Sequence, residues 1–75
     1  MTLRETFARN VRVLRATKKL SQEALADAAK VSRGYMSDIE RSEYSASLDV
    51  VERIARALSV SPASLLETPK GRVAR

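Results

Sequence analysis

Residues 21–41 read SQEALADAAKVSRGYMSDIER, which is two short segments with a helical pattern on either side of a brief turn. Ser21 and Ser32 each precede one of the segments, and serine is among the residues that favour a helix N-cap. Ala26 gives the first segment a side chain small enough for the second helix to cross it closely. A short helix, a turn of about three residues and a second short helix together predict a helix-turn-helix.

The preceding residues predict a first helix that packs against this unit. Thr2 and Glu5 fit a capping box at its start, and the helix is expected to end at about Lys18. The apolar residues at helical spacing along it are Leu3, Phe7, Val11 and Leu14. In the second helix, QEALADAA, the expected buried positions are Leu25 and Ala28.

The second half of the chain predicts two more helices. After a polar loop, SEYSAS, Ser47 is the expected N-cap of a fourth helix. The apolar positions of this helix are Leu48, Val51, Ile54, Ala55 and Leu58. Ser61 followed by Pro62 predicts the start of a short fifth helix, with Leu65 and Leu66 on its apolar face.

These elements define one domain. No segment has β-alternation or an internal repeat, so the expected fold class is all-α, a compact five-helix bundle that contains the helix-turn-helix. Residues 1–67 are the predicted domain. The remaining residues, 68–75, read TPKGRVAR and are predicted to form a basic, flexible C-terminal tail.

Composition narrows the classes of function. The chain has 14 Lys and Arg against 9 Asp and Glu, a formal charge of +5, which favours polyanionic partners, nucleic acid first and an anionic membrane surface second. It has neither cysteine nor histidine, and so lacks thiolate zinc ligands and the usual general base. We expect no enzyme, metal or cofactor. Without a signal peptide or a transmembrane run, a cytoplasmic protein is expected.

The third helix, RGYMSDIER, carries an unusual outer face. At about 100° per residue, a core side formed by Met36, Ile39 and Glu40 turns the other residues outward. The outward residues are Gly34, Ser37, Asp38 and Arg41, with Arg33 at the N-terminal edge. A helix that only supports a core usually exposes Glu, Lys and Gln. This face therefore indicates contact with a partner.

Two stretches, LRATKKLSQEALADAAKVSRGYMSDIERS and SLDVVERIARALSVSPASLL, together cover residues 14–66. They contain in order LR, LSQE, LA, VS, IER and a fourth helix that ends in ALSVSPASLL. This series resembles the phage repressor and Cro type of helix-turn-helix domain, the xenobiotic-response-element (XRE) family of bacterial regulators. The resemblance implies a lambda repressor-like DNA-binding domain whose third helix lies in the major groove of double-stranded DNA.

Four residues of the third helix are the expected base readers: Arg33, Gly34, Ser37 and Asp38. The Arg33 guanidinium can donate two hydrogen bonds to guanine O6 and N7, worth roughly 1 to 3 kcal/mol of discrimination. A phosphate contact or a solvated charge is the alternative for Arg33. Asp38 either accepts from a cytosine amino group or orients Arg33 or Arg41. Gly34 either lets the backbone approach a base edge or is merely tolerated in the first turn.

A second group of residues is expected to bind phosphates beside the groove: Ser21, Gln22, Ser32, Tyr35, Arg41, Ser42 and Tyr44. Gln22 resembles the residue of the family that bonds a phosphate at the start of the second helix, where free backbone N–H groups also favour an anion. Alternatives are open for three of the group. Ser21 can act as an N-cap only, Tyr35 can pack against the second helix, and Tyr44 can cover the edge of the core.

The resemblance also implies structural features. An Arg15–Glu40 salt bridge between the first and third helices is expected to fix the recognition helix. Family members often have glycine where this chain has Lys19, Lys30, Ser42 and Ser59. A left-handed backbone at such a residue costs on the order of 1 kcal/mol. The remaining basic residues, Arg9, Arg12, Arg53 and Arg56, are expected to be solvated surface.

The function expected is that of a sequence-specific transcriptional regulator, a repressor or controller protein that binds a palindromic operator as a homodimer. The resemblance suggests that Val60, Pro62, Leu65 and Leu66 form the dimer interface; alternatively, they close the core of the monomer. A protein-interaction module, such as an antitoxin or a bridging factor with secondary DNA contact, is the competing class. An enzyme ranks third, because Ser21, Ser32 and Ser37 have no base at credible spacing.

Overall fold

The computed structural model describes residues 1–68, and every regular element within that range is helical. The helices are α1 (Leu3–Thr17), α2 (Gln22–Ala29), α3 (Arg33–Glu40), α4 (Leu48–Leu58) and α5 (Pro62–Leu66). The all-α, five-helix prediction is confirmed. Arg41, predicted as the last residue of α3, is instead its C-cap. Residues 69–75 of the predicted tail lie outside the described residues, so the domain boundary at residue 67 stays a prediction.

Each helix begins at a serine or threonine N-cap. The five N-caps are Thr2, Ser21, Ser32, Ser47 and Ser61, and each side chain accepts from the backbone N–H three residues later. At α1, Glu5 completes a capping box by accepting from the Thr2 N–H at 2.8 Å. Each cap satisfies a backbone N–H that has no partner within its helix, so local sequence sets where all five helices begin.

Four helices end in a left-handed residue that is not glycine. The residues are Lys19, Lys30, Ser42 and Ser59, with φ between 60° and 63°. After α3, the Ser42 N–H bonds to the Ile39 carbonyl at 3.0 Å and the Glu43 N–H bonds to the Asp38 carbonyl at 2.9 Å. This is the Schellman pattern, and the same pair of bonds closes α1, α2 and α4. All four positions at which family members often have glycine therefore have a left-handed backbone in this chain.

The core lies where α2 packs on α3 and α4 while α1 packs on α3 and α5. Its largest fully buried side chains are Val11, Leu25, Met36, Ile39, Ile54, Leu58 and Leu65. Three predicted core positions are wrong. Leu3 and Leu48 are 62% and 82% exposed because each is the first residue of its helix, beyond the edge of the core. Ala28 is exposed and Ala29 is buried in its place, since α2 packs on two helices at once.

Polar side chains on neighbouring helices hold the C-terminal ends of α2 and α3. The Arg12 Nη1 donates to the Glu40 carbonyl at 2.6 Å, and the Arg53 Nε donates to the Ala29 carbonyl at 2.9 Å. The expectation that Arg12 and Arg53 are only solvated is therefore wrong. The last carbonyls of a helix have no partner within the helix and attract cations. Contacts from α1 and α4 thereby fix the ends of the helix-turn-helix.

Asn10 binds carbonyls at the C-terminal end of α5, a contact that the sequence did not predict. The Asn10 side chain is 8% exposed, and its Nδ2 donates to the Leu65 and Glu67 carbonyls, both at 2.9 Å. The end of α5 is thus tied to α1.

None of the five helices described in residues 1–68 has the length and the apolar composition of a membrane span.

Candidate nucleic-acid interface

The outer face of α3 is accessible, as its periodicity predicts. Met36, Ile39 and Glu40 are buried, whereas Arg33 and Gly34 are exposed. A Cβ atom added to Gly34 would meet nothing within 4 Å. Packing within the chain therefore gives no reason for a glycine, which costs roughly 1 kcal/mol relative to alanine inside a helix. The glycine leaves a flat surface in the first turn of α3.

A buried carboxylate connects α3 to α1 and α2. Glu40 is 3% exposed. Its Oε2 accepts from Arg15 Nε at 2.7 Å, and its Oε1 accepts from Arg15 Nη2 at 3.1 Å, so the guanidinium makes a two-pronged contact. Arg15 Nη1 also donates to the Leu20 carbonyl at 2.8 Å. The structure thus contains the interhelical ion pair that the resemblance implies, and this pair holds the last turn of α3.

Gln22 belongs to the same network. Its Nε2 donates to Glu40 Oε1 at 3.0 Å, and the side chain is half-buried. One of the two amide N–H bonds of Gln22 is therefore used inside the protein, which the sequence did not predict. The second N–H is the group left for the predicted phosphate contact. Gln22 sits at the first position of α2, where backbone N–H groups lack helical partners.

A cluster of charged side chains covers the C-terminal end of α3. Arg41 Nη1 donates to Ser37 Oγ at 2.7 Å, and Arg41 Nη2 donates to Asp38 Oδ1 at 2.7 Å and to Glu43 Oε1 at 3.2 Å. The hydrogen bond to Glu43 and the charge of that carboxylate raise the pKa of the Arg41 guanidinium. Asp38 is thus paired with Arg41, one of its two sequence alternatives, and this pairing does not exclude a base contact.

The remaining predicted phosphate-binding residues lie at two helix N-caps, on α3 and in the segment after α3. The Tyr35 and Tyr44 rings meet edge to face, with centroids 5.8 Å apart and an interplanar angle of 60°. Tyr44 is 54% exposed and Tyr35 is half-buried, so the loop after α3 is braced against α3 itself. Ser21 and Ser32 accept backbone bonds as N-caps, and Ser42 holds the left-handed turn.

One predicted interface residue is corrected. Leu65 is fully buried and packs within the core of its own chain, so its side chain cannot contact a second protomer. The reason is that α5 is held against α1, which turns Leu65 inward. Pro62 is exposed, and Val60 and Leu66 are half-buried. These three side chains retain surface that a partner can reach.

The fold that contains α2 and α3 has counterparts among known proteins. Residues 6–67 match the family model described as a helix-turn-helix domain. The chain belongs to this family. It is 44% identical over 66 residues to control protein C.BamHI of Bacillus amyloliquefaciens, an alignment that covers 87% of this chain and 82% of that protein.

Two solved structures have the same fold as this chain. The crystal structure of the hypothetical transcription factor NHTF from Neisseria is 38% identical and has a TM-score of 0.89, over 96% of this chain and 83% of that one. The restriction-modification controller protein C.AhdI from Aeromonas hydrophila is 35% identical with a TM-score of 0.80, over 83% and 94% of the two chains. Family membership identifies this chain as a DNA-binding transcriptional regulator.

Proposed function

We propose that the protein binds a palindromic operator as a homodimer, with α3 of each protomer in the major groove, and acts as a repressor or controller protein. The observation that carries the proposal is the exposed outer face of α3, anchored from within by Glu40. Control proteins and an immunity repressor among the relatives support this class of regulator.

The N-terminal end of α3 offers hydrogen-bond donors to a base. Arg33 is exposed at the first helical position, where the positive end of the helix dipole also favours a negative partner. A guanidinium there can donate two bonds to guanine O6 and N7. Next to it, Gly34 lets the backbone come close to a base edge. The N-terminus of α2 and the remaining Gln22 N–H are the proposed contacts to the flanking phosphates.

Arg33→Ala is expected to relax base preference at one position in each half-site, by roughly 1 to 3 kcal/mol of discrimination. Selection of bound duplexes from a random pool, with the unaltered and altered chains in parallel, measures this. Arg56→Ala is the matched control, because Arg56 is an exposed arginine on α4; it removes the same charge and should leave every base preference in place. Equal base preferences for Arg33→Ala and the unaltered chain would contradict the role of Arg33.

The dimer is proposed because one protomer presents a single recognition helix. Half-sites of a palindromic operator are about 34 to 36 Å apart, and each chain has one α3, eight residues long, to place at one of them. One chain therefore cannot place reading surfaces at both half-sites. A two-fold dimer uses the same patch on both chains, so the patch must complement itself.

An exposed apolar groove is the surface that we propose for this contact. It has a volume of about 210 Å³ and lies between the start of α1, the loop before α4 and the end of α5. Leu3, Leu48 and Leu66 line it, which makes Leu66 the link to the interface predicted from the sequence. Arg4 also lines the groove and Glu67 follows Leu66, so a two-fold arrangement can pair opposite charges across the contact.

Leu48→Glu is expected to give a folded monomer. Leu48 is 82% exposed at the first position of α4, where a carboxylate suits the helix dipole, so the fold should be unaffected. Loss of the second half-site should lower affinity for a two-half-site duplex on the order of a hundredfold. Val13→Glu, at an apolar α1 residue that is 48% exposed and outside the groove, is the control. Analytical ultracentrifugation gives the mass, and a Leu48→Glu chain that still dimerises would exclude this surface.

The experiment that tests the whole proposal combines the duplex selection with a measurement of the mass of the complex. The expected result is a palindromic consensus bound by two chains. Absence of any enriched sequence would contradict the proposal and favour the protein-interaction module instead. Binding should also weaken steeply with salt, because neutralised phosphates release counterions.

A further inference from the structure

The cluster around Arg41 determines which hydrogen bonds the end of α3 can offer to a base. We infer that Arg41 is a specificity-determining residue that acts through Ser37 and Asp38, by holding them as a hydrogen-bond donor beside an acceptor. The inference rests on the proposed placement of α3 in the major groove. It assigns Arg41 a role different from the phosphate contact predicted from the sequence.

The polarity of Ser37 follows from the chemistry of its partner. A guanidinium has only N–H donors and cannot accept a hydrogen bond. In the bond between Arg41 Nη1 and Ser37 Oγ, at 2.7 Å, the serine oxygen is therefore the acceptor. A hydroxyl carries one proton and two lone pairs. Since this bond uses a lone pair, the O–H of Ser37 is left to donate to a group outside the cluster.

Asp38, in contrast to Ser37, is left as a hydrogen-bond acceptor. Its Oδ1 accepts from Arg41 Nη2 at 2.7 Å, so Oδ2 is the oxygen left to accept from a partner. The side chain is one third exposed, at 34%, and Ser37 is half-buried, so both groups can be reached from outside. Ser37 and Asp38 are adjacent in α3. The cluster therefore presents one donor and one acceptor side by side.

Glu43 keeps the guanidinium in this position. Its Oε1 lies 3.2 Å from Arg41 Nη2. The backbone of Glu43 is itself held, because its N–H bonds to the Asp38 carbonyl at 2.9 Å in the turn that closes α3. Arg41 is thus held by the residue four before it, the residue three before it and the residue two after it. A single exposed ion pair is weak, whereas a network in good geometry restricts the side chain more.

A donor beside an acceptor complements particular base edges. In the major groove the amino donors are adenine N6 and cytosine N4, and the acceptors are purine N7, guanine O6 and thymine O4. The Asp38 oxygen requires one of the two amino groups, and the Ser37 hydroxyl requires an acceptor next to it. Without Arg41, the Ser37 hydroxyl is free to rotate and can accept as readily as it donates. Base preference at this position should then fall.

Arg41→Lys separates this role from a phosphate contact. Lysine keeps the positive charge, but its single ammonium lacks the planar fork that bridges Ser37 and Asp38. We expect Arg41→Lys to lose roughly fivefold to a hundredfold discrimination at the base pair that Ser37→Ala and Asp38→Asn also affect. The dependence of affinity on salt should stay unchanged. The measurement is duplex selection followed by titrations of cognate and altered duplexes at several salt concentrations.

The double variant Ser37→Ala with Arg41→Lys tests the coupling. If Arg41 acts partly through Ser37, the double variant loses less discrimination at that base pair than the sum of the losses in Ser37→Ala and Arg41→Lys. Arg41→Lys with full base preference and altered affinity for all duplexes alike would overturn the inference and leave a phosphate contact. If the unaltered chain selects a consensus, the proposed function stands whatever Arg41→Lys does. No consensus at all overturns both.

Discussion

Replacing Glu40 by alanine is expected to destabilise the chain by about 3 to 5 kcal/mol, the typical result of leaving one partner of a buried ion pair uncompensated. The Glu40 carboxylate is 3% exposed and accepts hydrogen bonds from Arg15 and Gln22. A domain of this length has a free energy of unfolding of roughly 4 to 11 kcal/mol. The variant should therefore lose a large part of its stability, and with it the orientation of α3.

Urea denaturation followed by circular dichroism measures this loss. Glu52→Ala is the matched control, because Glu52 is an exposed glutamate on α4, and it should change the unfolding free energy by less than about 0.5 kcal/mol. Arg15→Met combined with Glu40→Met should recover much of the stability, since two apolar side chains leave no buried charge. Equal stability of Glu40→Ala and Glu52→Ala would contradict a structural role for the pair.

Helix positions could be predicted because the signals are local. Each serine or threonine cap bonds within its own first turn, so the residues that start a helix lie next to one another in the sequence. Periodicity also placed Met36 and Ile39 on the inside of α3. Periodicity does not indicate where the core ends, however. Leu3 and Leu48 follow the helical pattern and still lie outside the core.

The contacts that the sequence did not predict join residues that are distant along the chain. Arg12, Arg53 and Asn10 bond to backbone carbonyls of other helices. Every residue has a backbone carbonyl, so residue type does not indicate which carbonyl will accept such a bond. The bond between Gln22 and Glu40 also depends on how α2 packs against α3. The Arg41 cluster consists of local contacts instead, because Ser37 and Asp38 precede Arg41 by four and three residues. Helical spacing alone places such side chains together.

The left-handed residues that close the helices offer the largest gain in stability. A non-glycine residue in this conformation costs roughly 1 to 2 kcal/mol, because its Cβ approaches the following carbonyl. Glycine has no Cβ, but it also has more conformational freedom to lose on folding. The net gain expected for Ser59→Gly is therefore about 1 kcal/mol, at a residue whose φ is 60°.

Lys19→Gly, Lys30→Gly and Ser59→Gly together should add about 3 kcal/mol, because the three turns are separate and their effects should be additive. Ser42 is left unchanged in this series, since its turn carries Glu43 and the Arg41 cluster. The midpoint temperature of thermal unfolding should rise by roughly 4 to 8 °C for each kcal/mol of added stability. Ser59→Ala separates relief of backbone strain from loss of the hydroxyl, because alanine keeps a Cβ and should give no gain. If Ser59→Gly and Ser59→Ala unfold at the same temperature, the left-handed backbone is not a source of strain in this chain.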